Sequence, residues 1–259
     1  MADFETDAIL LRRVEYGDHD LIINFLTRDR GKIPVIAKNA KQSVKRFSGA
    51  LDLFSGHRIQ CTFPKKNRDG LIILTGSQLT QGFANIRYDV LKTAYACYWI
   101  EMLSHWLEDG KPQQDLFELL HRALFMLHNS GMQSRVISLL FQIRFMSISG
   151  FAPRLDVCES CQRPLDSIGD GRIRFDFAEG RIICSRCRQG ASRHGMQVSK
   201  GTLKQLSWIN TVDMDRTDRI KFAPFAIREG QVLLESFIPF HIGREFKSLA
   251  FLRRIRKTR

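Results

Sequence analysis

The stretch TDAILLRRVEYGDHDLIINFLTRDRGKIPVIA, residues 6–37, is the part of this 259-residue sequence that decides the fold. It contains three short apolar runs, at residues 6–14, 21–27 and 33–37, separated by turn-forming segments that hold Gly17 and Gly31. Apolar runs of this length between such turns predict antiparallel strands joined by tight connections. Pro34 in the third run indicates a strand start or an edge position.

Two further apolar runs, at residues 56–63 and 70–75, predict a fourth and a fifth strand. Five short strands within 80 residues suit a small closed barrel, and the OB-fold is the five-stranded barrel that binds nucleic acid strands. An SH3-like barrel or a small open sheet would give a similar pattern. Periodicity alone cannot separate these folds, and we take an OB-fold nucleic-acid-binding domain over residues 1–80 as the prediction.

The periodicity of the sequence changes after residue 86. Apolar residues recur at steps of three and four over 90–106, 115–128 and 133–149, and this spacing predicts three amphipathic helices. A helical bundle is the natural way to bury such faces. We therefore expect an α+β protein in which residues 81–259 form a helical domain that ends in a basic C-terminal helix.

Two Cys-x-x-Cys pairs form the sharpest motif, Cys158–Cys161 and Cys184–Cys187, with 22 residues between them. Residues 172–183 read as a β-hairpin that would bring the pairs together, so that four thiolates hold a structural zinc ion. We predict an inserted zinc ribbon or knuckle at residues 154–190. A redox Cys-x-x-Cys and four unrelated cysteines are the alternatives. Cys61 and Cys97 are expected to be buried thiols of the core.

The chain is strongly basic, with 40 Lys and Arg against 27 Asp and Glu, a formal net charge of +13. The excess is local: residues 28–68 hold 11 basic and 2 acidic side chains, and the last sixteen residues hold 7 and 1. Residues 81–150 hold 6 of each. Such clusters make a nucleic acid the expected partner, with an anionic membrane second.

The basic side chains that follow the third strand and those between the fourth and fifth strands are the candidate DNA contacts. They are Lys38, Lys41, Lys45, Arg46, Lys65, Lys66 and Arg68. Phe47 is open to two interpretations, stacking on a base or packing in the core. The basic residues of segment 253–259 could bind phosphates or could only aid solubility.

The sequence contains no recognisable catalytic motif, neither a phosphate-binding glycine loop nor a zinc-protease helix. Asp213, Asp215 and Asp218 are interpreted as caps and turns rather than a metal cluster, and His19 as a turn residue. We expect a protein that is not an enzyme, and a nuclease is the rival. No apolar run could span a membrane, and the acidic N-terminus is unlike a signal peptide, so a cytoplasmic location is expected.

Local sequences along nearly the whole chain resemble the RecO family of bacterial recombination mediators. The matching stretches are residues 7–11, 16–20, 26–27, 31–32, 37–40, 49–51 with Phe54, 150–153 and 246–249. Asn39 stands where the family usually has glycine, and because asparagine tolerates a positive φ we expect the turn there to survive.

The resemblance implies a non-enzymatic DNA repair role at the nucleoid. RecO proteins bind single- and double-stranded DNA, anneal complementary strands, and with RecR help load RecA onto DNA coated by single-strand-binding protein. They also bind the acidic, Phe-ended tail of that protein in their helical region, where Arg122, Arg135 and Arg144 are the available cations here. An RNA-binding or ribosome-associated zinc-ribbon protein is the alternative function.

Overall fold

A computed structural model of the chain describes residues 3–43, 46–48, 51–64, 70–129, 131–169, 171–187, 194–211 and 222–258. The chain divides into two compact units, Met1–Ser130 with Thr258–Arg259, and Gly131–Lys257. The sequence pattern divides the chain at residue 80 instead, and that domain boundary stays a prediction. No helix among the described residues has the length and apolar character needed to span a membrane.

The first unit is built on a closed five-stranded barrel with a short sixth strand at its edge. The strands are β1 (Phe4–Tyr16), β2 (Asp20–Thr27), β3 (Gly31–Ala37), β4 (Phe47–Ser48), β5 (Gly56–Thr62) and β6 (Ile72–Gln81). Antiparallel pairing runs in the order β3-β2-β1-β5-β6, and parallel pairing of β3 with β6 closes the barrel. The predicted OB-like barrel is confirmed. β4, which pairs with β6, was not predicted.

Alternation along the strands explains why the barrel closes around one core. Ile23, Phe25 and Val35 are fully buried, whereas Ile22, Asn24 and Ile36, which alternate with them, are partly exposed. A register shift at Leu10/Arg12 in the β1–β2 pairing marks a bulge. Bulges of this kind increase the local twist that a small barrel requires.

The described residues of the first unit also form three helices: α1 (Ala84–Arg87), α2 (Val90–Trp106) and α3 (Gln114–Asn129). The carboxylate of Asp89 caps α2 by accepting from the backbone N–H groups of Leu91 and Lys92, at 2.8 and 3.1 Å. The predicted aromatic stripe of α2 is buried, with Tyr95, Tyr98 and Trp99 inaccessible to solvent. The stripe therefore belongs to the core and not to a ligand site.

The second unit contains the helices α4 (Ser134–Ile148), α5 (Lys200–Thr211), α6 (Pro224–Ile242) and α7 (Lys247–Thr258, whose last residue is assigned to the first unit). The three helices predicted over 90–149 all form, but they are divided between the units, because α4 packs against α5 and α6. Most residues of α4 are buried, so this helix needs neighbours on several sides.

A four-stranded sheet in the same unit carries the cysteines. Its strands are β7 (Arg154–Cys158), β8 (Arg172–Asp176), β9 (Arg181–Ile183) and β10 (Gly195–Ser199). β8 and β9 form the predicted hairpin, in which Phe175 faces Ile182. The carboxylate of Asp176 stabilises the connecting turn by accepting from the N–H of Ala178 at 2.9 Å. β7 lies beside β9 in parallel, and this pairing aligns the two cysteine pairs.

Candidate metal centre and candidate nucleic-acid interface

The four predicted ligands meet in one cluster. The Sγ atoms of Cys158, Cys161, Cys184 and Cys187 all lie within 4.8 Å of one another, and those of Cys161 and Cys184 are 3.9 Å apart. A tetrahedral zinc with Zn–S bonds of about 2.3 Å would place its sulfur atoms roughly 3.8 Å apart. The cluster therefore fits a four-thiolate zinc ion with little movement.

Backbone geometry explains why the thiols point together. The N–H of Gln162 donates to the carbonyl of Cys158 at 2.9 Å, and Gln162 takes a left-handed φ of 53° that turns the chain back. The second pair is closed by the N–H of Cys187, which donates to the carbonyl of Cys184 at 3.0 Å. Each Cys-x-x-Cys is therefore a tight knuckle at the end of a strand.

The electrostatics of the cluster favour a bound cation. Burial raises the pKa of Cys158, but backbone N–H donors, that of Cys184 first, outweigh it and lower this pKa to about 7. Hydrogen bonds to the thiols of Cys184 and Cys161 raise the pKa of Cys187 to about 12. Four thiols this close cannot all ionise unless a positive ion lies among them, and a divalent metal supplies that charge.

Within the described part of the chain, this is the one group of three or more His, Cys, Asp or Glu side chains arranged to hold a metal. Cys61 is buried as predicted, and burial raises its pKa to about 12. Cys97 is only partly buried, which differs from its predicted place in the core. Asp213, Asp215 and Asp218 lie outside the described residues.

The turn after β3 brings together three of the seven candidate DNA contacts. Lys38, Lys41 and Arg46 are all exposed, and the guanidinium of Arg46 donates to the backbone carbonyl of Lys38 at 2.8 Å. Lys45, Lys65, Lys66 and Arg68 lie outside the described residues. The described part of this candidate interface is therefore a compact cationic turn at one end of β3, which we call the β3 turn (residues 38–43 and 46).

The β1–β2 turn holds the β3 turn in place. Asn39 adopts the expected positive φ, 51°, and its N–H donates to the carboxylate of Asp20 at 2.8 Å. The N–H of Lys41 donates to the carbonyl of His19 at 3.2 Å, so His19 is a turn residue as expected. Sequence reasoning missed the role of Asp20, although the run Asp18-His19-Asp20 was a usable signal for a side chain that caps a neighbouring turn.

Two neighbours change what the β3 turn can do. The Nζ of Lys41 lies 2.8 Å from a carboxylate oxygen of Glu15, and this hydrogen bond holds the pKa of Glu15 below its ordinary value. The ring of Phe47 is 6% exposed and belongs to the barrel core, which decides for core packing over base stacking. Arg46 covers that ring, with its Cζ 5.2 Å from the centroid.

A groove of about 410 Å³ lies in the second unit between α4, α5 and the chain that enters β7. Ile143, Leu155 and Leu206 give it an apolar lining, and Arg154 and Asp156 are its charged members. Arg122 is exposed on α3 and Arg135 lies in the first turn of α4, whereas Arg144 directly follows Ile143. Sequence reasoning missed Arg154, which follows directly after residues 150–153 that carry part of the resemblance.

Comparison with known proteins gives a consistent result over the whole length. A family model described as "Recombination protein O N terminal" matches residues 1–83, and one described as "Recombination protein O C terminal" matches residues 87–250. The DNA repair protein RecO of Desulfatibacillum aliphaticivorans is 42% identical over 257 residues, covering 99% of both chains. That of Desulfosudis oleivorans is 39% identical over 259 residues, again covering 99% of both, and that of Bacillus pumilus is 29% identical over 248 residues, covering 96% of this chain and 93% of the relative.

Proposed function

The chain belongs to the RecO family of DNA repair proteins, and from this membership we propose that it is a recombination mediator that works by binding and not by catalysis. In this proposal it binds single- and double-stranded DNA, anneals complementary strands and, with RecR, helps load RecA onto DNA coated by single-strand-binding protein. The observation that carries the proposal is the match of both family models, in order, along one chain.

The β3 turn supports DNA binding by its charge and its exposure. Lys38, Lys41 and Arg46 present three cations on one small surface next to the barrel, and the N–H of Asn39 is tied to Asp20 so that the turn keeps its shape. Cations held in this way contact phosphates and release the counterions that surround DNA. Neutralised strands repel each other less, so two strands on one basic surface can anneal without any bond being made or broken.

The test is the salt dependence of DNA binding, measured by fluorescence anisotropy of a labelled single strand. We expect Lys38→Gln with Lys41→Gln to weaken binding and to make the slope of log K against log salt shallower by about 1.4, because each lost phosphate contact contributes roughly 0.7. An unchanged slope would refute the assignment of the β3 turn.

A matched control separates the lost charges from the lost ion pair. Glu15→Gln breaks the same contact between Glu15 and Lys41 but leaves the lysine in place. We expect this variant to bind DNA at least as tightly as the parent protein.

Competition between DNA and RNA of equal length tests the rival function, RNA binding. A preference for RNA would indicate that the protein recognises the 2′-hydroxyl.

We propose that the cysteine cluster holds zinc in a structural role. Cys158, Cys161, Cys184 and Cys187 would supply all four ligands, which leaves no open position for a reacting water. Zinc would join the two knuckles at the ends of β7 and β9 and fix the small sheet that they terminate.

Incubation of labelled DNA with the protein and Mg²⁺ should leave the DNA intact, and cleavage would instead indicate a nuclease.

The groove beside α4 is our proposed site for the tail of single-strand-binding protein. A short acidic peptide that ends in phenylalanine needs an apolar cleft with a cation near its rim. Ile143 and Leu206 supply the apolar lining and Arg154 the cation, with Arg144 next in sequence to Ile143.

A repair mediator of this kind would work on the chromosome, so we place it in the cytoplasm at the nucleoid.

A further inference from the structure

The packing of helix α7 explains the apolar residues on its inner face, but it does not explain the residues on its outer face. On the inner face Leu249 and Leu252 are buried, with 1% and 0% of their surfaces exposed. On the outer face Lys247, Arg254 and Lys257 are exposed, and Phe251 keeps 41% of its surface in contact with solvent. These outer residues lie three or four apart, so they form one stripe along the helix. We call this stripe the α7 outer face.

A buried carboxylate holds α7 in place and fixes which face points outward. Glu235 on α6 is 3% exposed, and its Oε2 accepts from the guanidinium of Arg256 at 2.6 Å. The guanidinium of Arg253 donates to the backbone carbonyl of Glu235 at 2.9 Å. These two arginines are therefore engaged within the fold. Segment 253–259, which the sequence left open as a phosphate-binding tail, is helical through Thr258.

The charge of the outer face is not accounted for by helix stability. Cations in the last turn, such as Lys257, interact favourably with the partial negative charge at a helix C-terminus. Lys247 is in the first turn, where the partial positive charge of the helix N-terminus disfavours a cation, and that turn holds no acidic residue of its own. Helix α7 contains no acidic residue at all, so its outer face is uniformly positive.

Phe251 adds a feature that a merely solubilising surface would lack. The Cζ of Arg254 lies 5.5 Å from the centroid of the Phe251 ring, so the aromatic face and the cation are presented together. An exposed aromatic ring among cations is the combination that proteins use for single strands, since bases stack on the ring and phosphates meet the charges. A duplex keeps its bases paired and stacked, so it cannot use the ring in this way.

We infer that the α7 outer face is a second contact surface for single-stranded DNA, in which Phe251 stacks on an unpaired base while Lys247 and Arg254 contact the flanking phosphates. This inference rests on the proposed function, because it extends DNA binding from the β3 turn to the C-terminal helix. An anionic membrane fits less well, because Leu249 and Leu252, which a membrane-bound helix would insert, are packed inside the fold.

The experiment compares two strands that carry equal charge, labelled oligo-dT and an abasic strand of the same length. We expect Phe251→Leu to weaken binding of oligo-dT about fivefold or more, which is the low end for loss of one stacked base, and to leave the abasic strand unaffected. We expect Lys247→Gln with Arg254→Gln to weaken binding of both strands and to make the salt slope shallower by about 1.4.

Matched controls come from residues 81–150, which have no net charge. Phe125, with 51% of its surface exposed on α3, gives the control Phe125→Leu, and Lys92→Gln with Lys111→Gln removes one half-buried and one exposed cation from the same segment. These variants should bind both strands like the parent protein. Thermal unfolding followed by circular dichroism checks that every variant is folded.

Each outcome has one meaning. If the parent protein does not bind single-stranded DNA, the proposed function fails and this inference fails with it. If the parent protein binds but the α7 variants bind equally well, only the α7 assignment is overturned. Equal losses of oligo-dT and abasic binding in Phe251→Leu would overturn the stacking role. Variants that lose affinity only for vesicles of anionic lipid would point instead to a membrane surface.

Discussion

His57 shows how a single residue makes the barrel sensitive to acid. Its side chain is 1% exposed, with Nε2 2.7 Å from the hydroxyl of Ser55 and Nδ1 2.9 Å from that of Ser77. Burial lowers the pKa of His57 from 6.5 to about 4. The unfolded chain therefore binds a proton between these two pH values that the folded protein does not, so stability falls as the pH drops from 6.5 towards 4.

We predict that His57→Gln flattens this part of the pH dependence. The imidazole accounts for at most about 3.4 kcal/mol of the acid-induced loss, from a pKa difference of roughly 2.5 at 1.36 kcal/mol for each pH unit, and about 2 kcal/mol of this falls between pH 7 and pH 5. Urea unfolding at pH 7 and at pH 5 measures the difference. The variant should be less stable at pH 7, because it replaces a packed ring, yet lose less on acidification than the parent protein.

The exposed His19 provides the control for that measurement. His19→Gln keeps a polar side chain in the β1–β2 turn and should leave the loss of stability between pH 7 and pH 5 as it is in the parent protein. If His57→Gln loses as much stability on acidification as His19→Gln does, the buried imidazole is not a source of the acid sensitivity.

At the scale of elements, the cysteine cluster joins two strands that have few residues of their own. β7 and β9 contain five and three residues, and their pairing is irregular between Arg154 and Cys158. Elements this short do not bury enough surface to be stable alone, and the metal that we propose for the cluster would supply the missing free energy.

We therefore predict that Cys158→Ser lowers the melting temperature by at least about 5 °C, since loss of a metal ligand costs several kcal/mol and each kcal/mol is worth roughly 2–4 °C in a chain of this size. DNA affinity should fall much less at temperatures where the variant is folded. A colorimetric zinc assay should find about one zinc for each parent chain. Cys97→Ala, which removes a thiol outside the cluster, should keep the zinc.

The opposite ranking in Cys158→Ser would change the assignment. If DNA affinity collapsed while the melting temperature held, the knuckles themselves would be the DNA contact. If the parent protein bound no zinc, the cluster would be a set of free thiols, and a redox role for the Cys-x-x-Cys pairs would become the favoured interpretation.

The elements show what local sequence can and cannot predict. The barrel strands, the helices α2 to α4 and the β8–β9 hairpin follow from periodicity and turn residues, because those signals lie within each element. Two-residue β4 has no periodicity, so it was missed. The assignment of α4 to the second unit depends on which distant helices cover it, and that information is not local.

In the candidate sites, too, local sequence predicted some features and missed those that depend on distant residues. The spacing of the cysteines predicted their meeting, since a hairpin between two pairs leaves few other arrangements. The ion pair of Lys41 with Glu15 and the burial of Phe47 arise from strand pairing across the barrel. Residue type alone suggested a DNA contact at Lys41 and left Phe47 open between base stacking and core packing. The three-dimensional neighbours compete for the charge of Lys41 and place Phe47 in the core.

At the scale of the whole molecule, charge and apolar surface are separated along the chain. Residues 28–68 have 11 basic and 2 acidic side chains, a net charge of +9, whereas residues 81–150 have 6 of each. The β3 turn belongs to the first unit, and the groove lined by Ile143 and Leu206 belongs to the second. A mediator on coated DNA needs both kinds of surface, one for phosphates and one for the protein that covers the strand.

We predict that the two binding activities can be removed one at a time. Arg154→Glu should abolish binding of a labelled tail peptide of single-strand-binding protein, because it places a like charge at the groove that would receive an acidic chain. Its affinity for single-stranded DNA should stay within about twofold of the parent protein, as expected for sites that share no residue. Lys38→Gln with Lys41→Gln should give the reverse pattern in the same anisotropy assay.

This pair of variants also decides how the two surfaces relate to function. If Arg154→Glu loses the peptide but keeps DNA, and the lysine variant does the opposite, only the parent protein should bind DNA coated by single-strand-binding protein at full strength, because two weak contacts on one target act together. If either variant loses both ligands, the groove and the β3 turn are not independent. The assignment of phosphate binding to the β3 turn and of tail binding to the groove is then wrong.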